Sequence, residues 1–126
     1  MKTLTKAEEQ IMQILWDLKD ATVKQVVDGF TDSKPAYTTV ATVLKVLEKK
    51  EIIAHKKFGN TYLYFATLSK REYTSDQFGS LLKNYFNGSF PKMATFFAKE
   101  NNLDISELEA MIKIAEDELK KEDTHE

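Results

Sequence analysis

Hydroxyl and ammonium side chains recur along residues 37–50 at a spacing that gathers them on one side of a helix. They are Thr38, Thr39, Thr42, Lys45 and Lys49, with the methyl-rich Val46 among them. Such groups hydrogen-bond to phosphate oxygens and base edges, and an apolar side chain beside them can meet a thymine methyl. An exposed helix face kept polar only by solvation carries the same residue types, and on these residues alone that reading stays open. The only acid of the stretch, Glu48, comes near its end. A smaller cluster follows, in which Lys56, Lys57, Asn60 and Thr61 surround the dipeptide Gly59-Asn60. A basic, hydrogen-bonding tip of this kind can rest on a phosphate backbone. It can equally be a solvated hairpin edge whose lysines discourage strand-to-strand aggregation.

Residues for other chemistry are few. The chain has no cysteine and two histidines, which excludes disulfides, zinc fingers and thiolate metal sites. His55 falls in a strand pattern and His125 in an acidic tail, and no His or carboxylate cluster has metal-ligand spacing. Gly-x-Ser-x-Gly and Gly-rich phosphate loops are absent as well. The expectation is a protein that is no enzyme and needs no metal or cofactor.

The polar face needs a scaffold, and the apolar residues supply its pattern. Val40, Val43, Leu44 and Leu47 lie at i, i+3, i+4 and i+7, so the opposite side of the same helix is core. Two shorter helical patterns lead into it. The first opens with the capping box Thr5-x-x-Glu8 and carries Ala7, Ile11, Ile14, Leu15 and Leu18 on one face, with Trp16 beside it as a packing residue. The second opens with Thr22 and Gln25, carries Val23, Val26, Val27 and Phe30, and stops near Gly29. Pro35 then prevents its continuation. After Lys50 the period changes from 3.6 to two, and residues 52–66 read as a β-hairpin with Gly59-Asn60 at its tip. Three helices followed by a two-stranded wing are the layout of a winged helix-turn-helix domain, whose third helix enters the DNA major groove.

Charge separates the halves. Residues 1–70 hold 11 Lys against 8 acids, net +3, and residues 71–126 hold 7 Lys or Arg against 12 acids, net −5. The first half suits a polyanion and the second another protein chain. We therefore expect a mainly α protein with a small β-hairpin. Residues 1–68 would form a winged-helix DNA-binding domain and residues 69–126 a helical dimerisation region. In the second half, Ser69 and Glu72 cap a helix bearing Phe78, Leu81, Leu82, Tyr85 and Phe86, which Asn87-Gly88 ends. Met93, Phe96 and Phe97 mark a shorter helix broken at Asn101-Asn102. Ser106 and Glu109 cap a last one with Leu108, Met111, Ile112, Ala115 and Leu119, whose Glu116-Asp-Glu118 run reads as a solvated face. That much apolar surface on short helices calls for the same helices of a second copy, or for an intramolecular helical subdomain. The expected dimerisation residues are Phe78, Leu81, Leu82, Phe86, Phe96, Phe97, Met111 and Ile112. No apolar run reaches the roughly 18 residues of a membrane span and Met1-Lys-Thr-Leu-Thr-Lys6 is no secretory signal, so a cytoplasmic location without membrane insertion is expected.

Several segments together resemble the penicillinase-repressor family (BlaI, MecI and CopY type) of bacterial winged-helix regulators. They are Leu4-Thr-Lys-Ala-Glu8, Ile14-Leu-Trp16, Thr38-Thr-Val-Ala-Thr-Val-Leu44, Leu47-Glu-Lys-Lys50, Lys56-Lys-Phe-Gly59, Tyr62-Leu-Tyr64, Ser69-Lys-Arg-Glu-Tyr73 and Tyr85-Phe-Asn-Gly-Ser89. The resemblance implies a transcriptional repressor that binds a palindromic operator in double-stranded DNA as a homodimer. Helix 38–50 would lie in the major groove and the 52–66 wing on the backbone. Thr38, Thr39, Thr42, Lys45, Val46, Lys49, Lys56, Lys57 and Asn60 would be the DNA-binding residues. A protein-interaction module that uses the same winged-helix surface without sequence-specific DNA binding is the alternative. Two departures limit the likeness. Copper-responsive members bear a C-terminal cysteine cluster that is missing here. β-Lactam-responsive members have an Asn-Phe bond cut by a membrane sensor protease, and Phe96-Phe97 stands at the corresponding place. Any sensor or protease partner is therefore left unidentified.

Overall fold

The computed structural model describes residues 3–124. In chain order they form α1 (Lys6–Leu18), β1 (Asp20–Ala21), α2 (Val23–Asp28), α3 (Tyr37–Lys49), β2 (Ile53–Phe58), β3 (Thr61–Ala66), α4 (Lys70–Phe86), α5 (Phe90–Glu100) and α6 (Ile105–Thr124). The chain divides into two compact units, the first reaching Gln77 and the second starting at Phe78.

The first unit is a winged helix-turn-helix. Thr5 and Glu8 close the capping box of α1, the Thr5 hydroxyl accepting from the Glu8 N–H at 3.2 Å and the Glu8 carboxylate from the Thr5 N–H at 2.8 Å. Thr22 and Gln25 repeat it on α2 at 3.1 and 2.9 Å. Val40, Leu44 and Leu47 of α3 are buried and Val43 half-buried, as their spacing predicts. On α1 the buried arc lies further round the helix than expected: Glu8, Ile11, Met12 and Leu15 are inside, whereas Ala7 and Leu18 are exposed. Leu18 overhangs the turn at Lys19, whose φ of 74° ends the helix.

Gly29 follows α2 with an ordinary helical backbone, so its need for glycine is spatial. A Cβ there would stand 2.8 Å from Cγ2 of Ile14. That absence lets the end of α2 lie directly on α1.

The wing has one more strand than the alternation shows. Asp20–Ala21 is not a plain connection but β1, paired antiparallel with β3 through Asp20↔Phe65 and Ala21↔Tyr64, which makes a three-stranded sheet in the order β1-β3-β2. Two residues cannot carry a period. The β2–β3 register runs from Ile53↔Ala66 to Phe58↔Thr61, leaving Gly59-Asn60 as the turn. Gly59 has φ 65° while Asn60 is not left-handed, the pattern of a II′ hairpin turn.

Trp16 is a packing residue, its Nε1–H donating to the Leu68 carbonyl at 2.9 Å and its ring 5.7 Å from that of Tyr73. The Tyr73 hydroxyl donates to Glu9 at 2.9 Å. These contacts draw the first two turns of α4 into the first unit, past the division at residue 68. Ser69 and Glu72 cap α4 as expected.

Within the second unit, left-handed Asn87 and Gly88 end α4, and the Gly88 N–H donates to the Leu82 carbonyl at 2.8 Å. Asn101 and left-handed Asn102 end α5. The cap of α6 differs from expectation. Asp104 and Glu107, not Ser106 and Glu109, make it: the Asp104 carboxylate accepts from the Glu107 N–H at 2.9 Å and from the Ser106 hydroxyl at 3.0 Å. An ionised carboxylate is the stronger acceptor for a helix N-terminus, and these bonds, the Glu107 N–H first, hold the Asp104 carboxyl below its usual pKa.

Candidate nucleic-acid interface

α3 packs one side into the core, and every polar residue expected on its other side is exposed: Thr38, Thr39, Thr42, Lys45 and Lys49, with Val46. Thr38, Thr42, Lys45 and Lys49 follow one another at i, i+4, i+7 and i+11, a continuous ridge of hydroxyls and ammonium groups. The Thr42 hydroxyl donates to the Thr38 carbonyl at 2.9 Å. Its proton is engaged, so Thr42 faces outward as an acceptor with a methyl group. The N-cap of α3 is Ala36, which offers no side-chain acceptor. The N–H groups of the first turn therefore stay open for an oxygen from outside.

A groove of about 520 Å³ separates α3 from the wing and the start of α2. Its walls bring Lys45 of α3 and Asn60 of the turn together, and add Lys24, Tyr37 and Tyr62, which the linear pattern did not single out. Lys24 lies in the first turn of α2, Tyr37 opens α3, and Tyr62 is paired with Lys57. Only the fold joins them. Two ammonium groups, three phenols (Tyr64 being the third) and an amide in one groove match the donors that hold a sugar-phosphate backbone.

The two wing lysines are separated by the pleat, which sends successive side chains to opposite faces. Lys57 shares the face of Ile53 and His55. Lys56 lies on the other face, its Nζ 3.4 Å from Asp20 and 5.9 Å from the centre of the Phe65 ring. Phe58 also projects from that face, 74% exposed at the turn. On the inner face His55 Nδ1 is 2.6 Å from Glu48 Oε2, and its ring lies against those of Tyr62 and Tyr64. Burial, and then the Glu48 carboxylate, raise the Tyr64 pKa.

Behind the interface, Lys50 at the C-cap of α3 reaches Glu8 of α1, with Nζ 3.0 and 2.8 Å from the two carboxylate oxygens. Burial raises the Glu8 pKa, but the Lys50 ammonium and the Thr5 hydrogen bonds outweigh it and the net value is lowered. This ion pair fixes the far end of α3 to the core.

Among the described residues no group of His, Asp and Glu is placed to hold a metal ion, and no helix is long and apolar enough to cross a membrane. His125 lies outside the described residues. In the second unit Phe78, Leu81, Phe96, Phe97, Met111 and Ile112 are exposed, while Leu82 and Phe86 are half-buried. Phe86 and Phe96 have ring centres 5.6 Å apart.

The model of a family described as penicillinase repressor matches residues 4–117. A penicillinase repressor of Staphylococcus aureus is 27% identical over 119 residues, covering 94% of each chain. One of Bacillus licheniformis is 23% identical over 115 residues, covering 90% of each. A solved structure of BpsR from Bordetella bronchiseptica, described as regulated in its DNA binding by 6-hydroxynicotinic acid, has a TM-score of 0.51 and 16% identity over 90% of this chain and 74% of its own. That likeness is one of fold.

Proposed function

The chain belongs to the penicillinase-repressor family of transcriptional repressors, and from that premise we propose that it binds a palindromic operator in double-stranded DNA as a homodimer. The observation that carries this reading is the exposed ridge of Thr38, Thr42, Lys45 and Lys49 beside a groove holding Lys24, Lys45 and Asn60. In this reading α3 lies in the major groove, where Thr39, Thr42, Lys45 and Val46 meet base edges. Lys24, Lys57 and Asn60 hold the backbone on the wing side, and Lys56 contributes less because Asp20 already engages it.

The dimer is argued from the second unit. Phe78, Phe96, Phe97, Met111 and Ile112 are each about half exposed in one chain. So many exposed apolar side chains on short helices call for a partner surface, and a second copy supplies a matching face by symmetry. Two recognition helices held at fixed separation would then read half-sites about 34 Å apart.

The test is a titration of labelled duplex DNA, selected by the protein from random sequence, at low and raised salt, beside sedimentation of the protein alone. A selected palindrome, a steep fall of affinity with salt and a dimer at micromolar concentration are the expected results. Binding that ignores sequence and salt, with the same surface capturing a protein, would favour the interaction-module reading.

A further inference from the structure

We propose that the cleft between α1, the turn after α2 and the start of α3 is a binding site for a small aromatic amine, and that an occupant lowers the affinity of α3 for DNA. The cleft encloses about 300 Å³. Thr39, Val40 and Val43 are its α3 residues, whereas Tyr37, Ala41 and Lys45 wall the groove beside the wing, so two concave sites flank one helix. The floor of the cleft is Ile11 and Val40, both buried, and its sides are Phe30, Pro35 and Val43, each half-buried. A concave apolar surface of this size with a few polar groups at its rim suits a single-ring ligand.

The rim fixes the chemical class. Gln10, Thr31, Ser33 and Thr39 are neutral, and Asp32 is the single ionisable side chain among the described residues that line the cleft. Its neighbour in sequence, Lys34, has Nζ 3.5 Å from Asp28 of α2 and is engaged there. The mouth of the cleft is therefore negative. Phe30 adds an aromatic ring, and a carboxylate and an aromatic face both attract an ammonium group. A ligand with a ring for the apolar walls and an amine for Asp32 meets both demands, and a carboxylate ligand meets only one.

Thr39 belongs to two surfaces. It lines the cleft and is exposed on the polar side of α3, where the DNA-binding reading has it meet base edges. A ligand that holds Thr39 withdraws that contact, worth about fivefold or more in affinity. Its ammonium returns about fivefold at most, as a screened charge at the surface. The net effect is weaker DNA binding, and by linkage DNA weakens binding of the ligand. The site stands on the cleft alone, and only this coupling rests on the DNA-binding reading.

The experiment is an amide NMR titration of the isotope-labelled full chain with 2-phenylethylamine, and with 2-phenylethanol and phenylacetate as its neutral and anionic counterparts, at constant pH and ionic strength. The amine should shift the amides of residues 7–11, 30–33 and 39–43 to saturation. It should bind about two- to fivefold more tightly than the alcohol, with phenylacetate weakest. Asp32→Asn should bring the amine level with the alcohol and leave the alcohol's affinity unchanged, which separates the charge from damage to the fold. Ala7→Phe, which fills the cleft, should abolish binding of all three. Fluorescence anisotropy of a labelled duplex carrying the selected site should show an affinity about threefold or more lower at saturating amine. Shifts absent from these segments, or a preference for the amine that survives in Asp32→Asn, would overturn the site and leave DNA binding standing. Saturable binding in the cleft with unchanged DNA affinity would overturn the coupling. No binding of duplex DNA by wild type without ligand would overturn the DNA-binding reading and leave the site standing.

Discussion

Thr42 is already bonded to its own helix, its hydroxyl proton directed to the Thr38 carbonyl, and that limits what it can read. A side chain presenting an acceptor and a methyl group suits a base amino group or a thymine methyl, and cannot donate to guanine without giving up the helix bond. Thr42→Ala should cost about 1–3 kcal/mol on the selected operator and relax preference at one base position. Lys57→Ala should act differently, weakening all sequences alike and making the salt slope shallower by about one unit. Lys56→Ala should change that slope less than Lys57→Ala, because Asp20 engages the ammonium before DNA arrives. Affinities of these variants on matched and scrambled duplexes over a salt series check all three expectations.

α3 owes its stance to what holds its two ends and its back. Pro35 and Ala36 start it, Val40, Leu44 and Leu47 bury it, and the Lys50–Glu8 ion pair secures its C-terminus to the first turn of α1. Glu8 therefore serves two elements, closing the α1 capping box and receiving Lys50. Glu8→Ala should destabilise the first unit by about 1–3 kcal/mol, through the lost cap of α1 and the lost ion pair with Lys50, measured by urea unfolding. Because folding lowers the Glu8 pKa, its contribution is present above the unfolded value and is lost as pH falls through the folded one. Tyr73 behaves in the opposite sense. Burial and its hydrogen bond to Glu9 push its pKa up to about 12 from 10.0, so stability held below pH 10.0 is lost as pH rises through about 12. Tyr73→Phe should remove that alkaline loss in a pH series of thermal unfolding, while keeping the ring contact with Trp16.

At the level of the assembled repressor, DNA affinity and dimerisation should rise and fall together. Phe96 is 54% exposed and its ring lies beside Phe86, so Phe96→Ala should weaken the proposed dimer. With it goes the operator complex, since two half-sites demand two helices at a fixed distance. Sedimentation should show a monomer fraction appearing at concentrations where wild type is dimeric. The bond between Phe96 and Phe97 lies inside α5, and by the resemblance to the β-lactam-responsive members a phenyl ring stands where their cleavable bond would have an Asn amide. We expect a β-lactam-activated sensor protease of the family to leave it uncut, and fragment masses after incubation check this. A clean cut between residues 96 and 97 would refute the expectation.

Periodicity and capping were legible because both are local. The 3.6-residue pattern from Val40 to Leu47, the boxes Thr5-x-x-Glu8 and Thr22-x-x-Gln25, and the Gly59-Asn60 turn are each set within a few residues, where backbone hydrogen bonding and side-chain spacing leave little choice. They sufficed to place the winged helix and the polar ridge of α3. What tertiary structure alone decided was which distant groups meet. The two-residue strand at Asp20–Ala21 exists only because β3 is there to pair with it. The meeting of Lys24, Tyr37 and Tyr62 around one groove, the division of Lys56 from Lys57 by the pleat, and the Glu8–Lys50 and His55–Glu48 pairs span separations that no period encodes. The cap of α6 was missed for a different reason: Asp104-x-x-Glu107 and Ser106-x-x-Glu109 both fit the same spacing, and the ionised acceptor wins.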